Sequence, residues 1–306
     1  MAIDNLVRDG FHNFGEILDA DKAAAINRRA RELRSFGPHL FLTQEEYEAD
    51  PQHWGVNPRP GFNFIDQFDD DLAFIEGHPA IAATISEMLG DDYRIHNRKF
   101  VCGIPESWLP DYLKKKMAEA SINNLGAYIR PEYRDITYFH GIDFHQDIID
   151  WPAWKEDKKT HEFLTLYIYI HDVTEHDAPL LTLTGSHRFG ATRFPHAITP
   201  IDGSHWKYGD GHGREMLCEH RLLTGGTGYA AIWHSCFLHG TQQIAKAGDC
   251  RLSLRYILQR GSDPSGLQAL NAKIEGPLYL EAARVDLDEV GRVNMLSNTI
   301  REKPKD

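Results

Sequence analysis

Two residues apart in Phe144-His145-Gln146-Asp147 stand an imidazole and a carboxylate, donor types that a first-row divalent ion accepts together. If the segment is a strand, residues i and i+2 share a face, and both side chains reach one ion. Two histidines and one carboxylate on one face of Fe(II) leave three positions open for substrate and oxygen. A chain with 17 histidines and 45 acidic residues produces such triplets by chance, so this one needs a third ligand from a distant strand. The segment Trp233-His234-Ser235-Cys236-Phe237-Leu238-His239-Gly240 follows a strand-like run from Gly228, and its His239 falls just before Gly240-Thr241. A lone buried histidine is more often a hydrogen-bonded structural residue than a ligand; a matching anion site is what changes the balance.

Such a site follows twelve residues after His239, in Cys250-Arg251-Leu252-Ser253-Leu254-Arg255-Tyr256. Period-2 alternation puts Arg251, Ser253 and Arg255 on one strand face and the apolar residues on the other. A guanidinium pointing into a β core is costly unless it meets an anion. An arginine with a hydroxyl two residues on can clamp a carboxylate through charge-assisted bonds. Arg251, nearer His239, is the first choice for this role and Arg255 the alternative.

The elements that would position these groups follow from periodicity. Ala23, Ile26, Ala30 and Leu33 recur at helical spacing between Asp19 and Gly37-Pro38, and Pro79 opens a second apolar helix closed by Gly90. Between them Pro51 to Pro60 reads as an irregular loop. After Gly90 short runs rich in Ile, Thr, Tyr and Phe succeed one another: Tyr93–Cys102, Ile122–Ile129, Asp135–Phe139, Phe163–Val173, Leu180–Thr184, Gly228–Trp233 and Arg251–Gln259. Few helical patterns alternate with them, which disfavours a parallel sheet and favours an antiparallel sandwich or jelly roll. Ala191–Gly213, punctuated by Gly and Pro, is too long for a simple hairpin turn and reads as a lid. The chain is expected to be one domain over 1–306. Its parts are a helical section to about 90, a β core over about 91–260 and a polar, partly helical extension over 261–306 that covers the core or serves a dimer contact.

Composition narrows the partners. The 306 residues are 42% apolar, enough for a packed core, and 33 Lys and Arg against 45 Asp and Glu give a formal charge of −12. No block of five or more basic residues is present, so nucleic acid is not an expected partner, and no apolar run approaches the length that spans a bilayer. The opening MAIDNLVRDGF is acidic and broken, unlike a targeting peptide, which makes the cytoplasm the expected location. Cys102, Cys218, Cys236 and Cys250 are too dispersed for a disulfide framework or a cysteine zinc site and read as buried small residues. Oligomeric state is not written in the pattern.

Taken together, these segments resemble the phytanoyl-CoA dioxygenase family of iron- and 2-oxoglutarate-dependent oxygenases. Leu6 to Phe11 resembles the family's opening D-G-F strand and Phe144 to Asp147 its H-x-D. Leu166 to Val173, followed by Ala178-Pro179-Leu180 to Thr184-Gly185-Ser186-His187-Arg188, resembles its strand, turn and P-G-S-H segment. Gly226 to Gly240 and the arginine strand resemble its closing H-G and anchor. The resemblance implies a mainly β fold with flanking helices around a double-stranded β-helix, a jelly-roll, cupin-like core. It implies His145, Asp147 and His239 as ligands of Fe(II). It also implies Arg251, helped by Ser253, as the anchor of the 2-oxoglutarate carboxylate, with Tyr167 and Lys99 beside that cosubstrate. Trp151, Arg188 and Arg98 are guesses for the substrate rim.

Thr184 replaces the usual Pro, Ala178-Pro179 replaces the usual Asn-Gly turn, and the interval from His239 to Arg251 is one residue longer than expected. Asp147 is retained, whereas halogenating relatives leave that position vacant. The implied activity is therefore hydroxylation, or a related oxidation, of an unactivated carbon in a small organic metabolite, consuming O2 and 2-oxoglutarate and releasing succinate and CO2. Two readings compete: a non-catalytic jelly-roll protein binding a metal or small carboxylate, and a His2Asp zinc hydrolase with a bound water.

Overall fold

The computed structural model describes residues 2–49, 63–119, 122, 124–150, 162–244 and 248–280. Among these residues twelve strands form two six-stranded sheets that face each other with helices on the outside, a double-stranded β-helix. The larger sheet holds β1 (Phe11–Glu16), β10 (Tyr229–His234), β5 (Phe163–Tyr169), β12 (Arg251–Gln259), β2 (Arg94–Gly103) and β3 (Thr137–Phe139), in that spatial order. The smaller holds β4 (Ile142–His145), β11 (His239–Thr241), β6 (Leu180–Thr184), β9 (Glu215–Leu223), β8 (His205–Gly209) and β7 (Ala197–Pro200). Every ladder is antiparallel except that of β2 with β3.

The larger sheet has two apolar faces because helices cover its back. Leu252, Leu254 and Tyr256 of β12 join Leu166 and Ile168 of β5 in a core shared with α1 (Ala2–Asp9), α2 (Ala20–Leu33), α5 (Pro79–Leu89) and α7 (Ser265–Asn271). The inner face carries Tyr167, Tyr169, Tyr229 and Trp233 in a second core. Packing on both sides buries every residue of β5, which is apolar or aromatic apart from Thr165. In α2, Asp19 accepts a hydrogen bond from the Lys22 backbone, and Ala23, Ile26 and Ala30 are buried; Leu33, expected on that face, is half exposed in the last turn. α5 ends at Gly90, whose φ of 90° and approach to the Asp263 carbonyl leave no room for a Cβ.

Four expectations are corrected. The stretch expected as a strand from Ile122 does not form one over 124–129: Asn124 accepts a bond from the Gly126 backbone, an Asx-type turn that diverts the chain into the one-turn helix Gly126–Tyr128. The segment 191–213 is not a loop but carries the β7–β8 hairpin, its turn fixed by Asp202 accepting from the Ser204 and His205 backbones. The Gly and Pro residues there mark the ends of strands. The opening segment is the helix α1, and the strand begins only after Gly10 turns the chain with φ of 83°. The helical part thus also supplies an edge strand of the larger sheet, and a further helix, α6 (Asp111–Glu119), lies within the stretch expected to be β. The remaining helices, α3 (Gln44–Ala49) and α4 (Asp69–Glu76), fall in the helical part. The loop 51–60 and the tail beyond 280 lie outside the described residues.

Candidate metal centre

The antiparallel pairing of β11 with β4 sets His239 directly opposite His145. Each ring is oriented by its own backbone: Nδ1 of His145 lies 2.9 Å from the Asp143 carbonyl, and Nδ1 of His239 lies 3.1 Å from that of Phe237. With the Nδ1 proton donated there, the Nε2 lone pair is left for a metal. Asp147 comes from the one-turn helix Asp147–Asp150 that follows β4, so the H-x-D spacing works across a strand end rather than along one strand. Ligand atoms of His145, Asp147 and His239 lie within 4.8 Å of one another, and His239 Nε2 is 3.6 Å from Asp147 Oδ2. No other group of three such donors occurs among the described residues.

The residue between the two candidate ligands His145 and Asp147 holds the turn. The Gln146 amide nitrogen donates to the Gly190 and Cys236 carbonyls, both at 2.7 Å, and its oxygen accepts from the Thr192 backbone at 2.9 Å. On the other side, the Ser186 hydroxyl accepts the Leu238 N–H at 2.9 Å, so the Gly-Ser-His turn supports the residue before His239. Gly240 is required by packing, since a Cβ there would stand 2.5 Å from the Ile142 carbonyl of β4.

Asp147 is buried and fully engaged. Its Oδ2 accepts from the Thr165 hydroxyl at 2.7 Å and from the Trp233 indole at 3.1 Å, and its Oδ1 from Arg255 Nη2 at 2.5 Å. Burial pushes the carboxyl pKa up, but Arg255 and the two histidines outweigh it and hold the group well below the usual range. Burial lowers the pKa of His239, a shift Asp147 partly offsets, which favours the neutral, ligating imidazole.

Arg251 is 1% exposed, and its partners are neutral. Nη1 donates to the Ala178 carbonyl at 2.5 Å and Nη2 to the Tyr167 hydroxyl at 2.9 Å, while the guanidinium sits about the rings of Phe139, Tyr167 and Tyr169. Ala178 adopts φ of 54°, unusual for a residue with a Cβ, at the turn where Ala178-Pro179 stands. Among the described residues no carboxylate pairs with Arg251. Its Nε and the Ser253 hydroxyl are buried without a hydrogen-bond partner. A buried cation and two orphaned polar groups on one strand face are the donor set a ligand carboxylate would satisfy.

The other sequence-nominated residues are distributed unevenly. Lys99 shares the inner face and stands opposite Arg255 in the β12–β2 register. Arg98 lies on the reverse face, where it pairs with Glu76 and Asp69, away from the cluster. Arg188 donates to the Arg8 carbonyl beside α1. His234 turns its Nδ1 to the Cys236 backbone N–H. Trp151 lies outside the described residues. Sequence reasoning did not single out Thr165, Trp233 or Gln146; a threonine two positions before Tyr167 in an apolar strand was the available signal for the first.

Fold and site together define a double-stranded β-helix protein with a 2-His-1-carboxylate cluster able to hold a metal ion. No family model matches the sequence, and neither does any curated protein. Solved structures do match. The non-heme alpha ketoglutarate dependent epimerase SnoN from nogalamycin biosynthesis superposes with a TM-score of 0.50 at 14% identity, over 85% of this chain and 81% of that one. SnoN in complex with Fe3+, alpha ketoglutarate and nogalamycin RO gives 0.50 at 15% identity, over 85% and 82%. The likeness is one of fold, in agreement with the topology described above.

Proposed function

We propose that this chain, over 1–306 as one catalytic domain, is an Fe(II)- and 2-oxoglutarate-dependent dioxygenase of the phytanoyl-CoA dioxygenase type, oxidising an unactivated carbon of a small organic metabolite. The observation that carries this reading is the meeting, inside one β-helix, of a three-donor metal cluster with a buried arginine that has no carboxylate partner among the described residues. Iron, when bound, supplies the redox chemistry in which O2 and 2-oxoglutarate give succinate, CO2 and an oxidised substrate.

The protein's own share is positional. His145, Asp147 and His239 would hold the ion, which would supply the redox chemistry at this end of the β-helix. Arg251, with Ser253, holds the distal carboxylate of 2-oxoglutarate, and Tyr167 fixes the guanidinium through its hydroxyl. Phe139, Tyr169 and Trp233 keep water from this inner face and so strengthen the charge–carboxylate contact. Lys99 stays a proposal beside the cosubstrate, although it stands opposite Arg255 and not Arg251, whose register partner is Gly103. Trp151 and Arg188 stay with the substrate rim as proposals, whereas the pairing of Arg98 on the reverse strand face speaks against such a role. Among the described residues no helix is long and apolar enough to cross a membrane; a location in the cytoplasm is part of the proposal. A zinc hydrolase gives Arg251 no task, and a plain binding protein has no use for a metal with open positions.

The test is anaerobic addition of Fe(II) and 2-oxoglutarate, followed by the weak visible charge-transfer band of the chelate. The band is expected in the wild type, absent in His145→Ala and weakened in Arg251→Ala. A folded, iron-loaded wild type that forms no band refutes the oxygenase reading and brings the binding-protein reading forward.

A further inference from the structure

We propose that Arg255 is an electrostatic stand-in for the metal ion: it neutralises Asp147 in the metal-free protein and thereby limits how tightly the site takes a divalent cation. The inference rests on the metal-site reading above.

A buried carboxylate is costly unless paired, and Asp147 is 5% exposed. Its pairing is divided between its two oxygens. Oδ2, which faces His239 Nε2 at 3.6 Å, is held by the neutral donors Thr165 and Trp233; Oδ1 is taken by the cationic Arg255. An ion joining the two histidines would meet Oδ2, so Arg255 has no need to leave, and its positive charge stays within a few ångströms of the ion. Among the described residues Asp147 is also the only carboxylate paired with Arg255. The same strand face therefore carries two arginines with different tasks: Arg251 lacks an anion, and Arg255 already has one.

Removing the Arg255 charge acts in two directions. The carboxylate loses one tether, which weakens metal binding, and it loses its compensating charge, which strengthens it. Thr165 and Trp233 still fix the metal-facing oxygen, so the first effect is small. The second is large, because a unit charge and a divalent ion a few ångströms apart in a poorly solvated site repel each other strongly.

The experiment is Mn(II) titration, by electron paramagnetic resonance, of metal-free wild type, Arg255→Gln and Arg255→Lys, with melting temperatures taken with and without Mn(II). Arg255→Gln is expected to bind Mn(II) more tightly, by roughly ten-fold or more, and to lose more melting temperature metal-free than Mn(II)-bound. Arg255→Lys, keeping the charge, is expected to stay near wild type. A purely structural arginine would lower both melting temperatures alike and leave affinity unmoved. Unchanged or weakened Mn(II) binding in Arg255→Gln overturns the proposal. Should that variant be unfolded without metal, Mn(II) is expected to restore a cooperative melt, and failure to do so overturns it equally. A wild type that takes no Mn(II) removes the metal-site reading itself, a result distinct from any difference among the variants.

Discussion

His145 and His239 are register partners across the β4–β11 pair, their ring centroids 4.3 Å apart, so strand pairing alone brings together two of the three candidate metal donors. The distance between them is fixed by backbone hydrogen bonding rather than by loop conformation. A one-residue slip would turn one ring to the other face of the sheet.

Gln146 is the residue on which the third donor depends. Gln146→Leu would leave the Gly190 and Cys236 carbonyls and the Thr192 N–H without their side-chain partner in a buried place. The expected cost is about 2–4 kcal/mol in chemical denaturation, together with weaker metal binding because Asp147 is no longer held at the end of its turn. Calorimetric titration with Co(II) measures the second effect.

Gly240 allows β11 to lie against β4 at the height of the histidines. Gly240→Ala forces a methyl group toward the Ile142 carbonyl, and the expected loss is about 1–3 kcal/mol. Metal affinity should fall with it, because the displaced strand carries His239. Thermal melts of the metal-free and Co(II)-loaded variant report both changes.

Arg251 and Ser253 should separate cosubstrate binding from metal binding. Ser253→Ala removes one orphaned hydroxyl and is expected to weaken 2-oxoglutarate by about 1 kcal/mol, while Arg251→Lys, which loses the planar fork on Ala178 and Tyr167, should weaken it by about 2–3 kcal/mol. Mn(II) affinity in the absence of 2-oxoglutarate should stay near wild type in both. Titration of the anaerobic charge-transfer band gives the cosubstrate affinity.

His187 should make the fold acid-sensitive. Its ring is buried against Gly10, and burial, only partly offset by the Val7 carbonyl, lowers its pKa from 6.5 to about 4. Between those values the unfolded chain holds a proton that the folded chain does not, so stability falls as pH falls through that window, by about 3 kcal/mol in all. His187→Gln is expected to be less stable at neutral pH but to show a shallower decline on acidification. Urea midpoints measured through the window decide it.

Much of this site is legible in the sequence because its key groups sit on strands with period-2 alternation. Arg251, Ser253 and Arg255 share a face in a sequence whose neighbours are all apolar, and His239 falls after a strand-like run, just before Gly240-Thr241. What the sequence does not disclose comes from turns and from three-dimensional pairing. The Asx-type turn at Asn124 outweighs the β character of Ile122 to Ile129. The β7–β8 hairpin is masked by Pro195 before it and by Pro200 at the turn end of β7. The division of labour between Arg251 and Arg255 depends on where β4 ends, since only the turn after His145 brings Asp147 under the second arginine. The reversed placement of Arg98 follows from simple alternation: next to an inward Lys99 it must face the helices.

Asp147 is anchored by Thr165, Trp233 and Arg255, which belong to three strands of the larger sheet, whereas His145 and His239 belong to the smaller. An ion shared by the three would therefore act as a cross-brace between the two layers. Its mechanical effect would be to stop them breathing apart at the mouth, so that gaining metal stiffens the sandwich and losing it opens a seam to solvent exchange along β4 and β11.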